Sequence, residues 1–406
     1  MTAEIRPAKQ WEMTAFMHTA RKSLTLPSHV APPEALAAIR PEWTLCAFEN
    51  EELATSYAWW PLTMRFAGGA CPIAGITFVG TRPVFRRKGH LRSIVSRHFQ
   101  LMHEQGTQPV AALHASRTAI YRRYGYAVVA WRNSYQIDPR DLIFAKKSQE
   151  IDGILALREI DSDEFDVLKE VYRQFCKDRI GYLHRSGGFW DNGVLAPARR
   201  DGVLFQIICE QDEKVQGYVV YTVEPVRAKH NRLAQKVVIR DMAWLTPEAY
   251  RKIWGHFASM DLAESIQWMY VPADDPLAYL VSEPSALNIE TRDGFMARIV
   301  DVAAAIPLRP YGADGRICFE IKDDMCPWNQ GIWQMEISEG RAQIEPSEAT
   351  PELCIPIDTM AMMVFGHLSP SKAVRMGLAE VHLPEVLPLW DHIMQTPGLP
   401  FCPDFF

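Results

Sequence analysis

A chain of 406 residues that is 48% hydrophobic and 23% charged has the composition of a soluble globular protein and is too long for one ordinary core, so two or three domains are expected. No apolar run approaches the length of a membrane helix, residues 1–40 lack a signal-peptide layout, and the eight cysteines are scattered without a CxxC pair, which argues against a disulfide framework and a zinc centre and for a reducing cytoplasm. The net charge of −6 hides a split: residues 1–150 carry 19 basic and 11 acidic side chains, the remainder 24 and 38, so the first part suits an anionic ligand.

In chain order, a helical stretch over residues 11–23 precedes strand-like runs at 43–48, 56–62 and 75–79. A basic segment follows, Phe85-Arg86-Arg87-Lys88-Gly89-His90-Leu91-Arg92, and then a helical pattern with Leu91, Ile94, Val95, His98, Phe99 and Met102 on one face. A short strand at 109–113, a short helix at 116–124 and a strand at 126–131 complete an α/β layout that begins mostly antiparallel. Residues 146–153 read as a linker. The next segment repeats the style of the first: a helix over 162–178, strands near 203–210 and 217–223, a run at 236–240 followed by another at 241–245, and a helix starting at Thr246-Pro247-Glu248. From about residue 286 a third segment alternates short strands (297–302, 315–321, 332–337, 341–344) with helices at 357–365 and 369–376 and one containing Trp390. It closes on Phe401-Cys402-Pro403-Asp404-Phe405-Phe406.

The two strand–helix junctions differ in chemistry. Unpaired N–H groups and a partial positive charge make clustered cations unfavourable where a helix starts, unless an anion sits among them. Arg86 to Arg92 therefore predict an anion, phosphate being the usual one. Gly89 lets backbone come close to it, and the alternatives are a solvated basic helix start or a nucleic-acid patch. The second junction carries an N-cap hydroxyl, a first-turn proline and an acidic residue, a self-satisfied terminus with no cradle.

Arg86-x-x-Gly89-x-Leu91 is similar to the pyrophosphate loop of the GNAT superfamily of N-acetyltransferases, with Leu91 in place of the usual small residue. About thirty residues on, Ala115-Ser116-Arg117 leads to Tyr121, four residues before Gly125-Tyr126, where those enzymes place a tyrosine. Phe405-Phe406 is an apolar terminus that favours burial and carries the terminal carboxylate with it. With Phe78-Val79-Gly80-Thr81 and Ala112-Leu113-His114, these residues resemble the enhanced intracellular survival (Eis) family of acetyltransferases, along the whole chain but more weakly in its middle.

The resemblance implies an α/β (α+β) fold of tandem GNAT-like domains, mixed sheets with flanking helices, followed by a sterol-carrier-protein-like α+β domain. It implies a catalytic domain over 1–149, a second domain over 150–285 without the pyrophosphate loop, and a third over 286–406 whose terminal carboxylate reaches the active site. It further implies acetyl-CoA as cosubstrate and no metal. Phe78, Val79, Gly80 and Thr81 would face the acetyl group and pantetheine arm. Arg86, Arg87, Lys88, Gly89, His90, Leu91 and Arg92 would cradle the pyrophosphate, with Ser116 and Arg117 touching the cofactor. Tyr121 would be the general acid and the Phe406 carboxylate the general base. Aminoglycosides, polyamines or lysine side chains would be acceptors, and the assembly a hexamer. Two departures bear on the acceptor: Phe405 stands where the family often has an acidic residue, with Asp404 one earlier, and residues 23–29 carry no carboxylate. Polycations need negative charge, so this sequence disfavours aminoglycosides. The rival readings are a tandem acyltransferase using another acyl-CoA, such as an N-myristoyltransferase, or a non-enzymatic protein that binds an apolar ligand or nucleic acid.

Overall fold

The structure is a computed structural model of the 406-residue chain, and it describes residues 3–24, 39–145, 155–161, 164–198, 202–227 and 232–406. The expected linker at 146–153 and residues 25–29 lie outside the described residues. The chain divides into two compact units: residues 1–130, 294–400 and 405–406 form the first, and 131–293 with 401–404 form the second.

In the first unit, strands Glu52–Phe66 and Gly69–Thr81 make a long antiparallel hairpin. Its length follows from strands rich in β-branched, aromatic and small residues with a tight turn at Ala67-Gly68, both at positive φ. Cys46–Glu49 and then Glu4–Arg6 extend the sheet on one side. On the other side Gly69–Thr81 pairs in parallel with Val110–Leu113 after a crossover through helix His90–Gln105. That helix buries His90, Ile94, Val95, His98, Phe99 and Met102. The expected stripe holds except that Leu91 is only half-buried and His90 lies inside.

The strand expected at 297–302 forms at Met296–Ile299, but with partners that the local sequence reading does not give. Met296–Ile299, from the third segment, inserts between Val110–Leu113 and Ala127–Val128 and pairs antiparallel with both. Arg298 on this strand is fully buried and donates to both Asp323 oxygens at 2.6 and 2.7 Å. The rest of the third segment forms a five-stranded sheet, Arg341–Pro346, Gly331–Ser338, Gly315–Lys322, Leu353–Pro356 and Glu380–Val381 in spatial order. Buried Arg309 donates to the Val364 and Met394 carbonyls, both at 2.8 Å, at the ends of helices Ile357–Val364 and Leu387–Met394. A guanidinium there satisfies orphan carbonyls and complements the negative ends of two helix dipoles.

In the second unit the strands run in the order Glu290–Asp293, Trp131–Ile137, Ala263–Pro272, Leu233–Trp244, Lys214–Arg227, Val203–Gln211 and Ala156–Glu159. Trp131–Ile137, which the sequence reading leaves with the first segment, pairs here with Ala263–Pro272. The runs at 236–240 and 241–245 are one strand with a bulge at Arg240. It is parallel to Ala263–Pro272 across helix Pro247–Ala258. Thr246 caps this helix as expected, its Oγ1 accepting from the Ala249 N–H at 3.2 Å.

Candidate active site

All the predicted site residues lie in the first unit. Strand Gly69–Thr81 positions most of them. Its parallel register runs Ile73–Val110, Ala74–Ala111 and Gly75–Ala112, and it continues to Thr81 after that pairing ends. The carboxyl ends of parallel strands are where open α/β sheets bind ligands. Past Gly75 the strand also bulges. Ser56 opposes Gly80 and Ala58 opposes Thr77, so Phe78 and Val79 together face Tyr57. Phe78 sits at φ 50°, unusual for a bulky residue, and Ser56 Oγ lies 2.9 Å from the Phe78 carbonyl oxygen and 3.2 Å from that of Gly80. The bulge re-aims the backbone of Phe78, Val79 and Gly80, and Thr81 Oγ1 is 3.1 Å from Thr55 Oγ1.

Eight residues join this strand to the helix. Arg86 Nε donates to the Thr81 carbonyl at 3.3 Å. Arg87 and Gly89 both have positive φ, 64° and 87°, and Gly89 takes the N-cap place without a side-chain cap. Positive φ is what requires glycine here, and the space where its side chain would project is open. Arg86, Arg87, Lys88 and Arg92 are exposed. The sequence reading missed one partner: Glu49 accepts from Lys88 Nζ at 2.6 Å and lies 3.1 Å from His90 Nε2. Lys88 foremost, with His90, holds the Glu49 carboxyl below its ordinary range. Uncapped N–H groups, backbone bent outward and exposed guanidinium groups fit a diphosphate.

Ser116 and Arg117 are exposed at the start of the short helix Thr118–Arg122. Tyr121, on that helix, is 8% exposed and packs in one core with Ala74, Ile76, Leu113 and Tyr126. Its ring stands edge-on to Tyr126 at 5.9 Å. Burial first, and Tyr124 second, push the Tyr121 phenol up to about 12. The expected near-match between phenol and thiol acidity is thereby shifted toward a firmly protonated phenol, because a phenolate has lost its water there.

Phe406 lies on the other side of the same strand. Residues alternate across a strand, so Gly75 faces away from the Ala74 and Ile76 core. A side chain at Gly75 would come within 2.9 Å of the Phe406 ring and 2.7 Å of Leu62, so only glycine leaves room for that ring. His114, at the end of the parallel strand, stacks on Phe405 at 4.4 Å and 17° and meets Phe406 edge-on at 5.2 Å. Sequence reading assigned His114, Glu49, Ser56 and Gly75 no role; the motif around His114 was the available signal. Tyr121 and the terminal residue thus flank one strand on opposite faces, near where it leaves its parallel partner.

Comparison with known proteins agrees with this frame. Acetyltransferase (GNAT) domain models match residues 4–129 and 181–299, and a sterol carrier protein domain model matches 302–403. An uncharacterised N-acetyltransferase of Streptomyces avermitilis is 32% identical over 272 residues, 66% of each chain. The N-acetyltransferase Eis of Mycobacterium tuberculosis is 27% identical over 311 residues, 73% of this chain and 71% of that one. A GCN5-related N-acetyltransferase from Anabaena variabilis shares the fold over 100% of both chains, with a TM-score of 0.86 at 22% identity. Eis1 from Mycobacterium abscessus does so over 99% of this chain and 100% of its own, with a TM-score of 0.83 at 24% identity. Two GNAT frames followed by a sterol-carrier-like segment define a tandem acetyltransferase. The chain belongs to the Eis-like N-acetyltransferases of the GNAT superfamily.

Proposed function

We propose that the chain transfers the acetyl group of acetyl-CoA directly to a primary amine. What supports this most is the placement of Tyr121 and Phe406 on opposite faces of strand Gly69–Thr81, beside the end of its parallel pairing. The backbone of Phe78, Val79, Gly80 and Thr81 takes the acetyl and pantetheine end. Arg86, Arg87, Lys88, Gly89, His90, Leu91 and Arg92 hold the pyrophosphate, with Ser116 and Arg117 beside it. The amine gives a proton to the Phe406 carboxylate, directly or through water, and its nitrogen bonds to the thioester carbon. A backbone N–H near Val79 stabilises the oxygen as negative charge builds on it. The carbon–sulfur bond breaks and the sulfur takes the Tyr121 proton. A phenol pushed up to about 12 keeps its proton until a thiolate develops beside it. No covalent enzyme intermediate is required.

By the same reading the catalytic segment is 1–149, the second GNAT-like segment 150–285 holds no cofactor, and 286–406 supplies the base. The acceptor is a small amine of aminoglycoside, polyamine or lysine type, the chain works as a hexamer, and it works in the cytoplasm. The acidic residue nearest the terminus, Asp404, pairs with Arg185, so it offers no second negative charge to a polycation. This favours acceptors with few positive charges.

The test is release of coenzyme A thiol from acetyl-CoA against a panel of aminoglycosides, polyamines and lysine peptides, with thermal protection by acetyl-CoA measured alongside. Turnover with at least one amine, with protection, is expected. No thiol release with any amine and no protection would sink the proposal, and stronger protection by a longer acyl-CoA would change the donor.

A further inference from the structure

The second unit encloses a charged cluster that the reaction does not touch. The Arg185 side chain is 1% exposed, between Asp241 at 6% and Asp404 at 5%. Its Nη1 and Nη2 donate to the two Asp241 oxygens at 2.6 and 3.0 Å, and Nε donates to Asp404 at 2.8 Å. The Tyr218 hydroxyl donates to Asp241 at 2.6 Å and the Tyr172 hydroxyl to Asp404 at 3.4 Å. The guanidinium also lies 3.9 Å over the Tyr172 ring. Asp241 alone pairs the cation in bidentate fashion. Asp404 takes the remaining Nε and is itself buried, and burying a carboxylate costs solvation. Such a group is better explained by the place it fixes than by stability.

The place is informative. Asp241 lies one residue past the Arg240 bulge, beyond the last parallel pair of its strand, Ile239–Trp268. That is the counterpart, within the second unit, of the bulge and open strand end that the proposed acyl site uses in the first. Here the opening is filled. Phe401 donates its N–H to the Ile180 carbonyl at 3.0 Å and is 3% exposed. Only about 10 Å³ of space remains among Asp241, Trp244, Tyr270, Phe401 and Pro403. That is barely the room of one water.

We propose that this opening is a dock for the carboxyl-terminal tail, and that Arg185, through Asp404, is a positioning residue for the Phe406 carboxylate. Only Phe405 separates Asp404 from Phe406, so the two positions are about 7 Å apart at full extension. An anchor at Asp404 therefore limits where the terminal carboxylate can go. The inference rests on the proposed base role of that carboxylate, and it gives the second GNAT-like unit a function: it binds the tail where the first unit is proposed to bind the acyl donor.

The experiment uses the full chain with Asp404→Asn, Arg185→Lys and deletion of Phe406. Asp404→Asn keeps shape and leaves Arg185 paired with Asp241, so the fold survives. Turnover is read with acetyl-CoA affinity, melting temperature and the rate at which carboxypeptidase releases the terminal phenylalanine. A displaced reacting group costs up to about a hundredfold in rate. Asp404→Asn is expected to lower kcat by about tenfold with acetyl-CoA affinity and melting temperature little changed, and to speed phenylalanine release severalfold, with a smaller loss in Arg185→Lys. Unchanged kcat and unchanged tail protection in both variants, with turnover abolished by deletion of Phe406, would overturn the anchor and leave the base role standing. Full turnover after deletion of Phe406 would overturn the base role, and the positioning role with it.

Discussion

In the first unit, strand Gly69–Thr81 runs past its last parallel pair, bulges at Phe78 and Val79, and reaches its helix through eight residues. In the second, strand Leu233–Trp244 runs past Ile239, bulges at Arg240, and reaches its helix through two. The frames share even a small polar detail. Tyr57 beside the first bulge bonds His98 on the following helix at 2.8 Å, and Tyr221 beside the second bonds His256 at 3.0 Å. What differs is how each opening is completed. The first helix begins on Gly89 in a left-handed conformation, uncapped and ringed by arginines; the second begins on Thr246, which caps it. After the parallel strand, Tyr121 turns inward at 8% exposure, while Tyr279 on the corresponding short helix is 87% exposed. One frame therefore ends in two ways: in a helix start left uncapped among exposed cations, and in one that satisfies itself.

The sharpest way to break this contrast is at the two tyrosines. Tyr121→Phe is expected to cut turnover by about a hundredfold or more, the usual scale for a lost general acid, with acetyl-CoA protection retained. Tyr279→Phe should change neither. Equal turnover in the two variants would remove Tyr121 from the mechanism. Because the phenol is pushed up to about 12, it stays protonated below that pH, so the activity profile should show no basic fall from this group up to about pH 10.

The junctions themselves come next. Gly89→Val forces a β-branched residue into φ +87°, a strain of about 1–2 kcal/mol. Acetyl-CoA affinity should fall roughly tenfold to thirtyfold while helix packing, which Gly89 does not join, persists. Affinity equal to that of the unaltered chain would show that the loop conformation does not matter for binding.

How much of this was readable in the sequence follows from the distance over which each feature is encoded. Arg86 to Arg92 break a local rule about helix starts, and Thr246-Pro247 obeys it, so both junctions were legible. Tyr121 is singled out by its spacing to Gly125, and its burial needed the fold. The strand Met296–Ile299 was not placed, because its partners at 110–113 and 127–128 are pairing choices that no local pattern announces. Arg185 was missed for a similar reason. Its partners are 56 and 219 positions away, and a lone arginine after Ile180-Gly181-Tyr182-Leu183 looks like the end of a strand. Apolar character predicts burial of both Phe405 and Phe406, yet Phe405 is 64% exposed and only Phe406 is half-buried, against Gly75, a match that needed the fold.

The shared tyrosine–histidine pair offers a finer test. Burial holds the His98 imidazole down to about 3, whereas His256, half-buried, is lowered by the same cause. A histidine with a lowered native pKa leaves the unfolded chain binding more protons, so stability is lost as pH falls below about 6.5. From pH 7 to 5, His98 should remove about 2 kcal/mol of stability, a loss absent in His98→Gln. Chemical denaturation at the two pH values measures it. An identical pH slope in the variant would mean that the buried site takes up the proton without cost.

The smallest expected effect isolates the capped junction. Thr246→Ala removes the hydroxyl that accepts from Ala249 and should cost about 1 kcal/mol of stability. Acetyl-CoA affinity should not move, because that helix start already has its own acceptor. If binding weakens as well as stability, the second helix terminus contributes to the cosubstrate after all, and the division of labour between the two junctions fails. If stability alone changes, the same local feature, a helix start at the end of a bulged parallel strand, is a binding site in one unit and plain structure in the other.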